Sequence, residues 1–158
     1  MTSNYFSYDK KQVLQALRYH FITRKEIRIM MILVNLFAIV SVIFYFSHKI
    51  QPLTFLVSSI LWFVVMIAFW FLLPNIIFRK AETFKDHFRV LLQDQHLFLE
   101  NERGSKSWPW SVFKTLLESP YFFHLYFDSR SFFLIPKDAF NGDDLHEARK
   151  IFKAKIPD

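Results

Sequence analysis

The sequence predicts a membrane protein of the α+β class, in which a two-helix transmembrane hairpin is followed by a small antiparallel β-sheet domain closed by a C-terminal helix. Two observations predict the hairpin: no residue from Ile29 to Phe46 is charged, and none from Leu53 to Phe78 is charged. A third predicts the domain, because short apolar runs separated by polar turns follow the second block. We expect three regions: cytoplasmic residues 1–28, the hairpin 29–78 and the cytoplasmic domain 79–158.

The composition excludes several classes of function. Among 158 residues there are 21 Phe, two Gly and no Cys. Without Cys there is no disulfide framework and no thiolate metal site, and two isolated Gly cannot form a glycine-rich phosphate loop. The net charge of +6 lies mainly before the hairpin, because residues 1–28 hold six basic and two acidic side chains and residues 79–158 hold thirteen and twelve. Since the predicted domain is nearly neutral, no nucleic-acid binding is expected.

The two uncharged blocks have the length of membrane spans. As helices, residues 29–46 would extend about 27 Å and residues 53–73 about 32 Å, and the hydrocarbon core of a bilayer is roughly 30 Å thick. The alternative, a pair of buried core helices, needs a larger polar shell than this chain has. Only a short loop separates the spans, and Pro52 suits the start of the second helix. The two helices are therefore expected to be antiparallel neighbours.

Basic residues predict the orientation of the hairpin. Those near its predicted cytoplasmic end are also candidate contacts for anionic lipid headgroups: Arg18, Arg24, Lys25, Arg28, Arg79 and Lys80. The loop between the spans holds Lys49 alone, so the positive-inside rule puts both termini in the cytoplasm. Each basic residue near an anionic surface contributes on the order of 1 kcal/mol to binding. The alternative is that these charges set the orientation and do nothing more.

The segment before the first span carries a short strand and an amphipathic helix. Asn4–Tyr8 alternates and is aromatic, and Asp9 is a plausible helix N-cap. The apolar residues that follow recur at helical spacing: Val13, Leu14, Leu17, Phe21 and Ile22. Two interpretations of this stripe stay open. It lies in the headgroup plane, or it packs on the C-terminal domain of the same chain.

Pro74 is expected to kink or end the second span, and the pattern beyond it changes to short strands. The predicted strands are 87–93, 96–100, 121–127 and 131–135. A polar turn is predicted over 101–107. From Gly142 the chain is helical, with acidic residues in the first turn and lysines in the last, as the helix dipole favours. A small antiparallel sheet closed by one C-terminal amphipathic helix is the arrangement of a pleckstrin-homology-like domain.

Aromatic residues of this domain are candidates for an exposed interaction surface: Trp108, Trp110, Tyr121, Phe123 and Phe133. The strands 121–127 and 131–135 are apolar on both faces. One face must be core, and the other must meet a helix, the membrane surface, the Asn4–Tyr8 segment or a partner. The alternative is that these rings form the core of a domain of ~80 residues, which needs bulky side chains to bury enough area.

One polar pair is expected between the spans. Counted from the cytoplasmic side, Asn35 lies about as deep as Trp70 on the antiparallel neighbour. A carboxamide and an indole N–H both need hydrogen-bond partners in hydrocarbon. The alternatives are a bond from Asn35 to its own helix backbone or to a second copy of the chain.

The order of features resembles the YcxB-like family of bacterial membrane proteins. The matching features are the short N-terminal segment, the two-span hairpin and a C-terminal sheet region carrying Trp110-Ser111-Val112-Phe113 and Ile135-Pro136-Lys137-Asp138-Ala139-Phe140. The resemblance implies a C-terminal part similar to bacterial pleckstrin-homology-like domains and a place in the bacterial inner membrane. It brings no catalytic residues with it.

The sequence contains no arrangement typical of catalysis. No two histidines stand three or four residues apart, so no helical metal pair is predicted, and no acidic residue in the spans marks a proton or ion path. We expect no catalytic residue, metal or cofactor. The predicted function is a non-enzymatic, membrane-anchored binding or scaffolding module that contacts lipids, a second copy of itself or another protein. The alternatives are a subunit of an oligomeric pore or transporter, and an enzyme with a site at the junction of membrane and domain.

Overall fold

A computed structural model describes residues 1–157. The chain divides into two compact units. The first, here called the hairpin unit, is Leu17–Lys80, and the second, the sheet unit, combines Met1–Ala16 with the chain from Ala81 onward. The structure therefore groups the first sixteen residues with the C-terminal part of the chain, and only the remainder of the predicted segment 1–28 with the spans. The boundary falls within helix α1, Lys10–Thr23.

The hairpin unit is built on two apolar helices. Helix α2 is Lys25–Phe46 and helix α3 is Pro52–Ile67, with Pro52 in the first turn as predicted. Both α2 and the longer helical run Pro52–Lys80 are long and apolar enough to cross a membrane, and the apolar window of neither is buried within the protein. The predicted pair of apolar helices is confirmed.

A tight turn joins α2 to α3 and sets their register. His48 adopts a left-handed conformation with φ 56°, which ends α2 as a left-handed residue after a helix commonly does. Beyond the turn, the hydroxyl oxygens of Ser41 and Ser58 are 2.8 Å apart, and the rings of Tyr45 and Phe55 stack with their centroids 4.5 Å apart. The two helices therefore run antiparallel, with facing positions counted outward from the turn.

The second helical run does not stop at Pro74. A π-helical segment, Ala68–Leu72, follows α3 and leads into helix α4, Leu73–Lys80. In a π segment the backbone bonds reach one residue further than in an α-helix. This local change accommodates a residue without an N–H donor, so the disturbance expected at Pro74 lies just before it and the helix continues.

The sheet unit contains two three-stranded antiparallel meanders. The first is β1 (Arg89–Leu92), β2 (His96–Asn101) and β3 (Gly104–Pro109), and the second is β4 (Thr115–Glu118), β5 (Phe122–Tyr126) and β6 (Phe132–Pro136). Helix α5, Gly142–Lys155, follows them. The predicted antiparallel strands and C-terminal helix are confirmed, in two sheets. Most of the turn predicted over 101–107 is wrong, because β3 begins at Gly104 and pairs with β2.

The N-terminal segment lies along the first sheet. Phe6 and Phe88 exchange backbone hydrogen bonds of 2.8 and 2.9 Å. The buried Tyr8 stacks on the ring of Phe122, with centroids 6.4 Å apart, and donates its hydroxyl to the carbonyl of Leu134 at 2.7 Å. The second face of the predicted strands 121–127 and 131–135 was expected to meet a helix, the membrane surface, the Asn4–Tyr8 segment or a partner. In the structure the Asn4–Tyr8 segment contacts it, through Tyr8.

An aromatic core holds α5 to the sheets. The ring of Phe152 lies 4.9 Å from that of Phe123, 6.2 Å from Trp110 and 6.4 Å from Phe140, measured between centroids. Phe152 and Phe123 are 0% exposed. Burying one such side chain stabilises a fold by about 1.5–3 kcal/mol, so this cluster is the main reason that α5 is fixed.

Candidate functional site

Most of the predicted aromatic surface is core. Trp110, Phe123 and Phe133 are buried, so their assignment to an exposed interaction surface is wrong. The physical reason is that the rings of both sheets and α5 pack on one another. Tyr121 is 45% exposed. Trp108 is half-buried against the ring of Phe133, at 5.7 Å between centroids.

The six candidate headgroup contacts fall into two groups. The exposed ones are Lys25, Arg28, Arg79 and Lys80, and the half-buried ones are Arg18 and Arg24. Because α2 begins at Lys25, α4 ends at Lys80 and the helices are antiparallel, the exposed four lie at one end of the hairpin unit. We call these four residues the basic collar.

Arg18 has a structural partner inside the hairpin unit. In an α-helix the carbonyl of Trp70 would accept the N–H of residue 74, which is a proline and has none. Arg18 Nε donates to that carbonyl at 2.9 Å, and its guanidinium lies 5.5 Å from the centroid of the Phe71 ring. Arg18 thus gives the Trp70 carbonyl a side-chain donor in the turn where Pro74 lacks an N–H, and this contact is a role other than the predicted headgroup contact.

The predicted apolar stripe of α1 is buried in part. Val13, Leu17 and Phe21 are buried, Leu14 is half-buried and Ile22 is 50% exposed. The covered positions are not free to lie among headgroups, so for them the structure favours packing within the protein. Burial and the nearby cation of Arg24 lower the pKa of His20 to about 4, and the imidazole is therefore neutral at pH 7.

The expected bond between Asn35 and Trp70 is wrong. Asn35 Nδ2 donates to the carbonyl of Met31 in its own helix at 2.8 Å. A different indole, Trp62, lines one groove between α2 and α3 together with Asn35. Counted outward from the turn, where Ser41 faces Ser58 and Tyr45 faces Phe55, Asn35 faces residues 64–65, so Trp70 lies more than one helical turn away from it.

A charge cluster ties β4 to α5. Glu118 Oε1 lies 2.7 Å from Lys137 Nζ and 2.8 Å from Arg149 Nη2. Both cations lie over the buried ring of Phe123, at 5.6 and 6.0 Å. Burial acts to raise the pKa of the Glu118 carboxyl, but hydrogen bonds from Arg149 and Lys137 outweigh it and the net pKa is lowered. The cluster therefore works with Glu118 ionised.

A serine and a histidine meet in the second sheet, at Ser119 Oγ and His124 Nε2, 2.9 Å apart. Both side chains are buried, so the pair packs inside the sheet unit. Within residues 1–157, no three His, Asp or Glu side chains are grouped so that they could hold a metal ion.

Residues 92–152 match the model of the YcxB-like protein family. The resemblance found in the sequence is confirmed over this region. It contains β2 to β6 and most of α5, together with the Glu118 cluster. No curated protein and no solved structure gives a significant match to the chain.

Both motifs that carry the resemblance lie in the core of the YcxB-like region. In the first, Trp110 is buried and donates its indole N–H to the carbonyl of Gln93 at 2.9 Å. In the second, Ile135, Ala139 and Phe140 are buried. The motifs therefore identify how the region packs, and they identify no binding group.

Proposed function

We propose that the chain is a membrane-anchored, non-enzymatic binding or scaffolding module of the bacterial inner membrane. The hairpin unit spans the bilayer and the sheet unit lies in the cytoplasm. Two small antiparallel sheets followed by a C-terminal helix support a pleckstrin-homology-like architecture for the sheet unit. Its YcxB-like region supports the bacterial origin of this arrangement.

The observation that carries the proposal is the exposed apolar surface of the hairpin unit. Phe46 is 74% exposed, Leu53 68% and Ile32 60%. Monomeric soluble proteins rarely expose contiguous apolar patches larger than a few hundred Å². In a bilayer the same side chains meet lipid tails, and the helical backbone satisfies its own polar groups.

The basic collar supports the orientation. Its four cations lie at one end of the hairpin, while the turn at the other end carries Lys49 alone. The positive-inside rule then puts both termini in the cytoplasm. Long cationic side chains at that level reach lipid phosphates, so the module prefers anionic lipid without recognising a particular headgroup.

Alkaline extraction of membranes tests the anchoring. The full chain is expected in the pellet after carbonate washing, where peripheral proteins are released. A variant with Leu36→Arg and Val64→Arg places two charges on exposed apolar positions of α2 and α3, and is expected to be released or degraded. Recovery of the unmodified chain in the soluble fraction would contradict the proposal.

Binding through the sheet unit is tested at Tyr121, the residue of the predicted aromatic surface that is exposed. Tyr121→Ser is expected to reduce the amount of any stoichiometric partner that co-purifies with the chain in native lipid discs. Tyr5→Ser, at a tyrosine that is 57% exposed on the same unit, serves as the matched control. Equal partner recovery from both variants would exclude Tyr121 from the binding surface.

A further inference from the structure

The hairpin unit carries a groove of about 420 Å³ along the first half of α2. Its lining comes from Ile22, in the last turn of α1, and from α2 between Ile27 and Ile39. All the lining side chains are apolar except Arg28 and Asn35. Five of the eight lining residues are exposed and none is buried, so the groove is open to the molecules that surround the helix.

Arg28 lies at the end of the groove that faces the cytoplasm in the proposed orientation. Its Nε and Nη2 atoms lie 3.4 Å from the carbonyl oxygens of Ile22 and Thr23, respectively, in the last turn of α1. These two contacts hold the guanidinium beside the groove. Of the five N–H donors of a guanidinium, three have no acceptor within residues 1–157, and no carboxylate of that range pairs with Arg28.

The other two arginines at this level already have partners in the protein. Arg18 donates to the carbonyl of Trp70, and Arg24 lies 3.9 Å from the carboxylate of Glu26. Arg28 is therefore the arginine whose charge and donors are open to another molecule. A phosphate group suits it, because a guanidinium binds phosphate oxygens through two parallel, charge-assisted hydrogen bonds.

The length of the groove matches one leaflet of a bilayer. Ile39 lies eleven residues beyond Arg28 on α2, which is about 16 Å at 1.5 Å per residue. Half of a hydrocarbon core roughly 30 Å thick is about 15 Å. The groove thus offers an apolar path from the cytoplasmic interface to mid-membrane, with an open cation at the level of the lipid phosphates.

We propose that this groove binds one phospholipid of the cytoplasmic leaflet, with an acyl chain along α2 and the phosphate on Arg28. The recognised group is the phosphate, which phospholipid headgroups share. A second copy in the same orientation fits less well, because it would bring its own basic collar to the level of Arg28 and set like charges together. This inference rests on the membrane location proposed above and adds a defined lipid site to it.

Native mass spectrometry of the full chain in detergent, titrated with single lipids, tests the site. The two probes are dioleoyl phosphatidylglycerol and dioleoylglycerol, which has the same chains and no phosphate. One phosphatidylglycerol is expected to bind each chain. Dioleoylglycerol should bind at least about tenfold more weakly, because it cannot accept the charge-assisted hydrogen bonds.

Arg28→Gln tests the phosphate contact. It should weaken phosphatidylglycerol at least about tenfold and leave dioleoylglycerol unchanged, because the neutral lipid does not use the guanidinium. If Arg28 only shaped the groove through its contacts with α1, both lipids would weaken together. Lys25→Gln is the matched control: it removes an exposed charge one turn earlier that does not line the groove, and should weaken phosphatidylglycerol much less.

A pair of double variants tests the acyl-chain path. Ile32→Ala with Leu36→Ala removes part of the groove wall, whereas Leu33→Ala with Phe37→Ala removes side chains of similar exposure that line a different side of α2. Both pairs have the same spacing and nearly the same depth. The groove pair should weaken both lipids by the same factor, and the control pair should bind both like the native chain.

The outcomes separate the lipid site from the anchoring. The lipid site is overturned, with the anchoring intact, if a chain that stays in the carbonate-washed pellet binds no lipid one-to-one or binds both probes equally. Arg28→Gln weakening both lipids, equal effects of the two alanine pairs, or a dimer that excludes the lipid would overturn it as well. A chain released by carbonate overturns both proposals.

Discussion

The hairpin unit and the sheet unit use the same aromatic residue in opposite ways. In the sheet unit Phe152 and Phe123 are 0% exposed and hold a helix to a sheet, whereas in the hairpin unit Phe46 is 74% exposed. Phenylalanine content alone does not distinguish these surroundings. The spacing of charge does, because no uncharged run in the sheet unit is longer than nine residues, whereas residues 29–46 and 53–78 carry no charge at all.

Glu118 and Arg18 show two ways of satisfying a half-buried charged side chain. In the sheet unit Glu118 is matched by two cations. In the hairpin unit Arg18 donates to the backbone carbonyl of Trp70. The carboxylate finds cations on neighbouring elements of the same unit, whereas the guanidinium uses a main-chain carbonyl in an irregular part of a helix. The comparison shows that each charged side chain takes the partner that its own unit provides.

The largest effect is expected from truncating the buried ring. Phe152→Ala should lower the free energy of unfolding of the sheet unit by about 3–5 kcal/mol, because it leaves a cavity at the centre of the aromatic core. Phe46→Ala removes an exposed ring and should change stability little. Denaturant unfolding of the full chain in lipid discs, followed by near-UV circular dichroism, measures both. Similar losses from the two variants would break the contrast between the units.

The next effect concerns the basic collar. Replacing its four residues with Gln should weaken binding of anionic lipid by on the order of 1 kcal/mol per charge, and the difference should shrink at 1 M salt, where the Debye length is about 3 Å. The control removes the same charge from exposed lysines of the sheet unit: Lys114, Lys150, Lys153 and Lys155. Lipid retained after purification is measured by mass spectrometry. Equal losses from both quadruple variants would show that net charge, not its position, attracts lipid.

A smaller effect is expected at the Glu118 cluster. Glu118→Gln leaves Lys137 and Arg149 without their carboxylate and should cost about 1–3 kcal/mol, whereas Glu147→Gln, at an exposed position of α5, should be neutral. Because the folded pKa of Glu118 is lowered, its contribution is complete above the ordinary pKa of about 4.3 and is lost as the pH falls through the folded value. Unfolding measured from pH 7 downward should show this loss in the native chain and not in Glu118→Gln. An identical pH dependence in both would rule out the cluster as its source.

The smallest effect tests the partner of Trp70. Arg18→Gln should cost about 1 kcal/mol because the Trp70 carbonyl loses its donor. In a Pro74→Ala background residue 74 regains an N–H, so Arg18→Gln should cost less there, with a coupling of about 0.5–1.5 kcal/mol in a double-mutant cycle. Thermal unfolding in lipid discs gives the four stabilities. Strict additivity would mean that Pro74 and Arg18 act independently.

Periodicity and charge spacing predict the order of the helices and strands. They fail where the conformation or burial of a segment is set by the segment packed against it. Strand β3 reads as a turn because its residues from Gly104 to Ser107 are polar and exposed, so no apolar alternation marks it. The aromatic surface was misassigned because β5 is buried on both faces, and a single strand does not show what covers its second face. The Asn35–Trp70 pairing fails because the register of a hairpin is fixed at its turn, not at its open end.

The most direct test of the account is the location of the two ends of the hairpin unit. Two reporters are fused separately at the C terminus and in the loop at residues 47–51. Alkaline phosphatase is active only in the periplasm. Green fluorescent protein does not fluoresce after export in an unfolded state, so its fluorescence reports a cytoplasmic location. The account predicts fluorescence without phosphatase activity at the C terminus, and phosphatase activity without fluorescence at the turn. Phosphatase activity at the C terminus, or fluorescence at both positions, would contradict a hairpin that crosses the membrane with both termini inside.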